Sequence, residues 1–440
     1  MNSLEIDNAP TSAVPKWIDY ALLLTLFING ITLFTTPFEF YIGYFVIIVL
    51  IQKYLRVYSF PNTLFWAYLV LLIAGVLSLF TGQNQISQFL KIYLGTFMAY
   101  LFYYYILERY EWNVKYLFQL YLKGVWWATI IGLLQFVSYL IDFKYGYDFK
   151  YIFNKWGIVP GGFFGLRINS IFGEPTYYAT FMAGGAFVAL HNLIGGEYYY
   201  SKFKSAVILV VYFLTFSGNA TTGLFISLAL LIFNRGFLKY SFVLIPLGFL
   251  AFNYNYETNF EFRDRFDSSL EVFQTENFEI GSTHGSSIIL FNNYHVAMKS
   301  FQENPLFGGG LGSHPISFEK YSLTKNVGVS GFDWNSQDAN SMFLRLVSET
   351  GLFGVVLFLW ILIKFYVFRK DSKDDYWLIS NAILVIILLN FIRQGHYFLH
   401  GFPFYVWMYY YNYRQKRNSI ETQVDEIDTE LNHDIQLNVR

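Results

Sequence analysis

The stretch NTLFWAYLVLLIAGVLSLFT, residues 62–81, decides the fold class and contains no charged side chain. A helix needs about 20 such residues to cross the hydrocarbon core of a bilayer. The same character extends along all 440 residues, because 55% of them are hydrophobic and only 14% are charged. Soluble domains carry roughly 25% charged residues. The composition therefore excludes a disordered chain, a coiled coil and most soluble enzymes.

Apolar runs recur along the chain and predict an all-α polytopic membrane protein with about twelve transmembrane helices. A tail at 1–16 precedes the helices, and an acidic tail at 414–440 follows them. Helices 1 to 9 fall within 17–253, and helices 10 to 12 fall within 342–413. The predicted spans are 17–36, 38–52, 62–81, 86–107, 116–141, 175–193, 203–217, 219–234, 236–253, 342–365, 375–392 and 396–413.

The distribution of Lys and Arg predicts the orientation. With the N-terminus inside, every cytoplasmic loop holds at least two of these residues, whereas the short outer turns near 37, 83 and 218 hold none. Cytoplasmic loops carry such an excess of positive charge. Both termini are therefore predicted to be cytoplasmic, and residues 1–16 lack the apolar region of a cleavable signal peptide. The acidic residues of 418–440 predict a solvated, disordered tail.

Two segments then lie on the outer, periplasmic side. One is 142–174, and the other is a large late loop at 254–341, the longest stretch that is not membrane-like. A loop of this length usually has a function. Within it, residues 286–303 predict an amphipathic helix that ends at Asn304-Pro305. The glycines that follow allow backbone turns that other residues could not make.

Four short stretches carry a resemblance to a known family. They are RINSIFGEP (167–175), LTFSG (214–218), NPLFGGGLG (304–312) and DANSMFLRLVSETGLFG (338–354). In this order and topology, over about residues 160–400, the chain resembles the O-antigen polymerase and O-antigen ligase family of bacterial membrane proteins. The resemblance implies a multi-pass protein of the bacterial inner membrane that joins glycans on the periplasmic face.

The resemblance also implies the reaction. The donor would be an undecaprenyl-pyrophosphate-linked oligosaccharide, which a ligase transfers to lipid A–core and a polymerase transfers to the next lipid-linked repeat unit. Neither reaction would need a metal or another cofactor. Membrane lipids and a polysaccharide chain-length regulator would be the partners. The ligases carry a His nine residues before the Glu of the Glu349-Thr350-Gly351 element, and Asn340 stands there in this chain. The difference favours a polymerase.

Glycosyl transfer from a lipid pyrophosphate needs cations for the leaving group. No acidic pair on the outer side has metal-site spacing, so arginine is the natural substitute, because its fork matches phosphate oxygens. Arg345 and Arg393 lie near the outer ends of spans, and Arg167 lies in a family-like stretch. The alternative for Arg345 is an ion pair with Glu349 one helical turn away. Arg263 and Arg265 alternate with acidic residues, and this pattern is more typical of a solvated surface on which the charges pair with each other.

The acceptor hydroxyl must lose a proton, so a base should lie within hydrogen-bond reach. His314 follows the glycine run and has a suitable titration range. Asp338 and Glu349 flank the ligase-like motif, although Asp338 could instead cap the following helix. Glu349 could instead pair with Arg345. The wider set of outer acidic and His candidates is His284, His295, His314, Asp333, Asp338, Glu174 and Glu349.

The stretch 393–400 is the densest polar cluster at membrane depth. His396 and His400 are four residues apart and could share one helix face. A metal pair there lacks a third ligand nearby in sequence. A sugar- or phosphate-binding patch is the functional interpretation, and hydrogen bonding between helices is the structural one.

Three other functions compete with polymerisation. A ligase of the same family remains open. A transporter of lipid-linked sugars would be expected to show related halves and short loops on both faces, and neither is visible. A membrane glycosyltransferase that uses polyprenyl-phosphate sugars would place acidic residues in a large first outer loop, which here is only a short turn near Pro37.

A net charge of −1 without a strongly basic stretch gives no sign of nucleic acid. The absence of Cys excludes a thiol nucleophile.

Overall fold

The computed structural model describes residues 14–36, 39–195, 199–235, 260–275, 283–324, 334–369 and 375–438, with isolated positions between 242 and 258. The chain is 72% helical, and the described part contains no closed sheet. These features confirm the predicted all-α class. The predicted ninth span, 236–253, and the candidate Asp333 lie largely or wholly outside the described residues.

The described part up to residue 235 consists of helices joined by short turns and two small hairpins. Its helices are α1 (Lys16–Phe27), α2 (Ile42–Tyr54), α3 (Asn62–Phe80), α4 (Ile86–Arg109), α5 (Val114–Leu140), α6 (Lys144–Tyr147), α7 (Pro175–Gly195), α8 (Lys202–Phe213) and α9 (Gly218–Arg235). One hairpin pairs β1 (Thr32–Phe34) antiparallel with β2 (Phe40–Tyr41). The other pairs β3 (Val159–Pro160) antiparallel with β4 (Leu166–Arg167).

The later part begins with three helices of the predicted large loop and then returns to apolar helices. Its helices are α10 (Phe260–Thr275), α11 (Gly285–Glu303), α12 (His314–Tyr321), α13 (Met342–Lys364), α14 (Tyr376–Arg393) and α15 (Phe402–Asn438), with a 3₁₀ turn at Leu399–Gly401. Helix α11 confirms the amphipathic helix predicted at 286–303, and it ends at Asn304 as expected.

Among the described helices, five are long and apolar enough to span a membrane: Asn62–Phe80, Ile86–Arg109, Val114–Leu140, Met342–Lys364 and Tyr376–Arg393. Two shorter helices, Ile42–Tyr54 and Gly218–Asn234, are also apolar. These helices support a multi-pass membrane protein. The total of twelve spans and the side of the membrane that each loop faces remain predictions.

Three predicted boundaries are wrong. The first span, 17–36, breaks after Phe27, because residues 32–41 pair as a hairpin before α2. The last span begins at Phe402 rather than 396, since residues 394–398 are not helical. The tail expected to be disordered continues as helix α15 to Asn438. It contains no Gly or Pro, the two residues that most disfavour a helix.

Helix α7 lies at the centre of the bundle, packed against α5, α8, α9 and α14. Small residues permit this close approach. A Cβ at Gly184 would lie 2.9 Å from the Ala382 carbonyl oxygen, and one at Gly185 would lie 2.4 Å from Val125 Cγ1. The crowded centre fixes the N-terminus of α7 beside the segments that carry the candidate residues.

Hydrogen bonds join the connecting segments at one end of the bundle, which we call the loop end. Asn84 Nδ2 donates to the Leu311 carbonyl at 2.8 Å. The Ile168 amide donates to the Leu214 carbonyl at 3.1 Å. The Gly173 amide donates to Asn29 Oδ1 at 2.8 Å. These bonds join the segments in three pairs, 84 with 311, 168 with 214, and 173 with 29. Residues 84, 168, 173 and 311 were predicted to lie on the outer side, whereas 29 and 214 were predicted to lie within spans.

Candidate functional site

Helix α13 begins at a Ser341 cap, whose Oγ accepts from the Leu344 amide at 3.4 Å, and it is interrupted at Gly351. Between these points, Arg345 Nε donates to Glu349 Oε1 at 2.7 Å. Both side chains are almost fully buried, at 3% and 0% exposure. This confirms the ion pair that was weighed for Glu349. An unpaired charge at such a depth would be costly, and the pairing offsets that cost.

The second oxygen of Glu349 connects this pair to two other segments. Glu349 Oε2 accepts from the Gly312 amide at 2.9 Å and from the Tyr397 hydroxyl at 3.0 Å. Arg345 Nη1 donates to the Gly395 carbonyl at 2.8 Å, and its guanidinium lies 4.5 Å from the centre of the Tyr397 ring. The pair therefore fixes the glycine run and the 394–401 segment against α13. These contacts leave Arg345 engaged within the protein.

The glycine run needs its glycines because the backbone turns repeatedly with positive φ. Gly308, Gly310 and Gly312 have φ of 64°, 96° and 86°. The Gly309 amide donates to the Ser348 carbonyl, and the Gly310 amide donates to the Glu349 carbonyl, both at 2.9 Å. A Cβ at Gly308 would lie 2.5 Å from the Glu349 carbonyl carbon. Only glycine combines this conformation with this close approach to α13.

His314 begins helix α12 directly after the run and is completely buried. Its Nδ1 lies 3.0 Å from Ser348 Oγ, and its Nε2 lies 3.1 Å from Asn293 Oδ1. Burial and the charge of Arg345 lower the pKa of His314 to about 3. The imidazole is therefore neutral near pH 7 and uses both nitrogens to join α11, α12 and α13. This position favours a structural role over the predicted role as a base.

Asp338 and His396 form the second charged contact of the site. Asp338 Oδ2 lies 2.8 Å from His396 Nε2. Its Oδ1 accepts from the Asn340 amide at 3.0 Å and from Asn335 Nδ2 at 3.3 Å. Burial raises the pKa of Asp338, but the charge and hydrogen bond of His396 and the Asn340 amide lower it overall. Asp338 does not cap α13, as one alternative predicted, because Ser341 occupies that position.

His396 differs from the expectation of a helix face shared with His400. Residues 394–398 are extended or bent, and His400 lies in the 3₁₀ turn, so the two positions are not one helical turn apart. The His400 side chain lies outside the described set. The His396 side chain is 25% exposed and that of Asp338 is 12% exposed. This pair is thus more accessible than Glu349 or His314.

Other charged side chains gather near this pair at the loop end, and we call the space between them the recess. Lys155 forms an ion pair with Glu39 and lies 5.8 Å from the centre of the Tyr41 ring. Glu39 is also close enough to His396 for their charges to interact. Glu174 is exposed to solvent, but many protein atoms lie around it. These surroundings raise the pKa of its carboxyl, although the nearby charges of Lys155 and Arg167 lower it in part.

Of the predicted cations other than Arg345, Arg167 lies near enough to Glu174 for their charges to interact. It is half-buried, and its Nε donates to the Thr215 carbonyl at 3.3 Å, which links the RINSIFGEP and LTFSG stretches. Arg393 is half-buried at the end of α14, just before the segment that carries His396. Arg263 lies 5.9 Å from the Phe260 ring on its own helix. The Arg265 side chain lies outside the described set.

Lys155 is the residue that sequence reasoning missed. Its segment, 142–174, was predicted to lie on the outer side, but it also contains other Lys residues, and no motif distinguished Lys155 from them. Among the described residues, no group of three or more His, Asp or Glu side chains could hold a metal ion. The charges available at the recess are therefore those of Lys155, Arg167, His396 and the carboxylates.

An apolar groove of about 420 Å³ opens beside the glycine run. Leu306 and Phe307 form one wall, and Leu352, Phe353, Val356 and Trp360 of α13 form the other. All these side chains are at least half exposed. The Gly351 break connects this groove to the buried pair, because a Cβ there would lie 2.7 Å from the Pro305 carbonyl oxygen.

A family model described as O-antigen ligase matches residues 204–359. This part of the chain is therefore similar to the O-antigen ligase family. The match confirms the resemblance to the O-antigen polymerase and ligase family. It includes the glycine run, Asp338, Arg345 and Glu349, whereas Lys155, Arg167 and His396 lie outside it. A comparison with curated proteins found no match. Members of the matched family process glycans. The apolar helices and the match together support a multi-pass membrane protein.

Proposed function

We propose that this protein polymerises polyprenyl-pyrophosphate-linked oligosaccharide repeat units into a surface polysaccharide on the periplasmic face of the inner membrane. The observation that carries the proposal is the match to the O-antigen ligase family model, taken together with Asn340, which stands where the resemblance implies the ligase His. An amide cannot accept the proton of an acceptor hydroxyl. The loss of that base distinguishes this chain from the ligase pattern and favours a different acceptor.

The charge distribution at the recess supports a pyrophosphate site. When the sugar–oxygen bond breaks, the leaving pyrophosphate gains negative charge, which cations stabilise most where water is partly excluded. Arg167 and Lys155 both lie near Glu174, and Lys155 keeps a third of its side chain exposed. We assign these two residues to the pyrophosphate, together with Arg393. Arg345, whose contacts are all internal, holds the site in shape.

The apolar groove supports a lipid-linked substrate. It lies along α13 and begins at the glycine run, so a polyprenyl chain within it would remain in the membrane. The pyrophosphate would then lie beyond the Gly351 break, on the side of the glycine run and the recess. In the reaction, the acceptor hydroxyl attacks the anomeric carbon of the donor sugar. The bond from that carbon to the pyrophosphate oxygen breaks, and the hydroxyl proton passes to a base.

The second candidate function is ligation, which the description of the family model favours. Reconstitution separates the two. Purified protein in liposomes receives a lipid-linked oligosaccharide without lipid A–core, and the products are separated on a gel. A ladder of repeat units supports the polymerase. Transfer that occurs only after lipid A–core is added supports the ligase, and movement of substrate across the bilayer without transfer supports a transporter.

A further inference from the structure

We infer that His396, held by Asp338, is the base that removes the proton from the acceptor hydroxyl, in place of the His that the resemblance implies for ligases. This inference rests on the proposed glycosyl transfer. It assigns the base to a segment that follows α14, outside the matched family domain. Asp338 would act as a positioning residue, and His396 as a catalytic one.

The hydrogen bonds around Asp338 define the state of the ring. Both Asp338 oxygens accept, Oδ1 from the Asn340 amide and from Asn335, and Oδ2 from His396 Nε2. A carboxylate can only accept, so the neutral imidazole carries its proton on Nε2. The lone pair then lies on Nδ1. Within the described part of the chain, His396 Nδ1 makes no hydrogen bond, so it can receive a proton.

The backbone on either side fixes the position of His396. A Cβ at Gly395 would lie 1.5 Å from the Asp338 carbonyl oxygen, so only glycine allows the two segments to touch here. Arg345 Nη1 holds the Gly395 carbonyl at 2.8 Å. The buried Arg345–Glu349 pair therefore acts on His396 through Gly395. A catalytic base must be held in a fixed position relative to the reacting hydroxyl, and these contacts hold His396 although it does not lie in a helix.

The relation to Asn340 is the strongest geometric argument. The amide of Asn340, the residue at the ligase His position, donates to Asp338 Oδ1, while His396 contacts Oδ2 of the same carboxylate. The Asp338 carboxylate thus connects the backbone of Asn340 with the imidazole of His396, which comes from another segment. Of the candidate bases His314, Glu349 and His396, the first two are completely buried and the third is partly exposed.

Charged groups from three other segments lie near the His396 ring. Asp338 contacts it directly, Glu39 faces it from the hairpin side, and Glu39 is itself paired with Lys155. Arg345 faces Asp338 from α13. In the reaction, the hydroxyl proton moves to His396 Nδ1 as the new sugar–oxygen bond forms. The electron pair of the old bond leaves with the pyrophosphate, and the imidazolium later releases its proton to water.

His396→Gln tests the inference in the reconstituted polymerisation assay. The Gln amide can still donate to Asp338, but it cannot accept a proton. We expect kcat to fall by roughly 10²–10⁴-fold, the range typical of a lost general base, with little change in KM for the lipid-linked substrate. The matched control is His295→Gln, at a half-buried His on α11, which should retain wild-type activity. Unchanged kcat in His396→Gln would overturn the inference.

Asp338→Asn covers a His396→Gln variant that does not fold, because it leaves the His396 side chain in place. Loss of the carboxylate that holds His396 Nε2 should lower kcat at least about tenfold with little change in KM. An unchanged kcat would contradict the inference. Asn340→His in the His396→Gln background should restore part of the rate, since it returns an imidazole to a residue whose backbone contacts Asp338. If wild-type protein makes no polymer at all, the proposed function fails rather than the assignment of the base.

Discussion

Arg345 and Glu349, which are one helical turn apart in α13, form a buried ion pair with a distance of 2.7 Å between Nε and Oε1. The helix breaks just after this pair, at Gly351. Glu349 also holds the Gly312 amide, and Arg345 also holds the Gly395 carbonyl. One pair thus connects the α13 helix to both loops that border the candidate site. Loss of this ion pair should lower the stability of the protein, and activity should then fall because the two loops are no longer held in place.

Glu349→Gln should destabilise the protein by about 3–5 kcal/mol, because it leaves the buried guanidinium of Arg345 without its counter-charge. Thermal unfolding in detergent measures the change. The control is Glu303→Gln, which breaks a pair with Lys320 whose two side chains are about half exposed. That variant should lose only about 0–1 kcal/mol. Equal losses in the two variants would show that the buried network does not hold the loops.

His314 predicts a pH dependence of stability. Its folded pKa of about 3 lies below its ordinary value of 6.5, so only the unfolded chain takes up a proton between these values. The stabilising contribution is therefore complete above pH 6.5 and is lost progressively as pH falls toward 3. The wild-type unfolding temperature should drop between pH 7.5 and 4.5, and His314→Gln should show a smaller drop. The pKa of Asp338 lies below its ordinary 3.8, so this carboxylate contributes little to the change in that window. An equal drop in both proteins would refute the buried, neutral imidazole.

Gly312→Ala should destabilise the glycine run for two reasons, the positive φ at this position and a steric clash of the added Cβ. Its φ is 86°, and a Cβ would also lie 2.7 Å from the Gln88 carbonyl oxygen. We expect a loss of about 1–3 kcal/mol and reduced polymerisation. Gly82→Ala is the matched control, because its φ is 72° but nothing lies within 4 Å of the added Cβ. The prediction fails if Gly82→Ala is equally damaging in unfolding and activity assays.

Filling the apolar groove should weaken binding of the lipid-linked substrate. Val356→Trp would occupy part of the 420 Å³ space and should raise KM about tenfold, which corresponds to about 1.4 kcal/mol of lost binding. Leu359→Trp places the same side chain at an exposed position of α13 outside the groove and should leave KM unchanged. Kinetics with lipid-linked donors of two chain lengths would check this. If only Leu359→Trp raised KM, the groove would not be the lipid site.

Arg167→Gln, Arg393→Gln and Lys155→Gln should each lower kcat/KM by at least about tenfold, because each removes a charge assigned to the leaving pyrophosphate. Lys155→Gln also removes the partner of Glu39, so Glu39→Gln serves as its control. Arg263→Gln, which changes a residue of α10, should remain close to wild type. If polymer length and yield were unchanged in all three variants at equal expression, the pyrophosphate assignment would be wrong.

Local patterns predicted much of this structure. The span expected at 62–81 is helix Asn62–Phe80, because a long apolar run has few other ways to satisfy its backbone within a membrane. The Arg345–Glu349 contact was predictable for a similar reason, since residues four apart on a helix are neighbours. The end of α11 at Asn304 follows from the proline after it.

Contacts between distant segments were not predictable from one sequence. No periodicity relates Asp338 to His396, or Glu39 to Lys155, and only packing of the loop end brings them together. His314 was expected at the surface, but the glycine turns direct it inward against Ser348. The hairpin at 32–41 was assigned to two helical spans because its aromatic residues suit a membrane helix as well as a strand.

The most direct test of the central claim is reconstitution with a lipid-linked repeat unit in liposomes, without added metal and without lipid A–core. We predict a ladder of products that differ by one repeat unit, formed by the wild-type protein and not by His396→Gln. Transfer that appears only when lipid A–core is supplied would contradict the polymerase and assign the chain to the ligases. Absence of any transfer by folded protein with an authentic repeat unit would contradict the proposed glycosyl transfer itself.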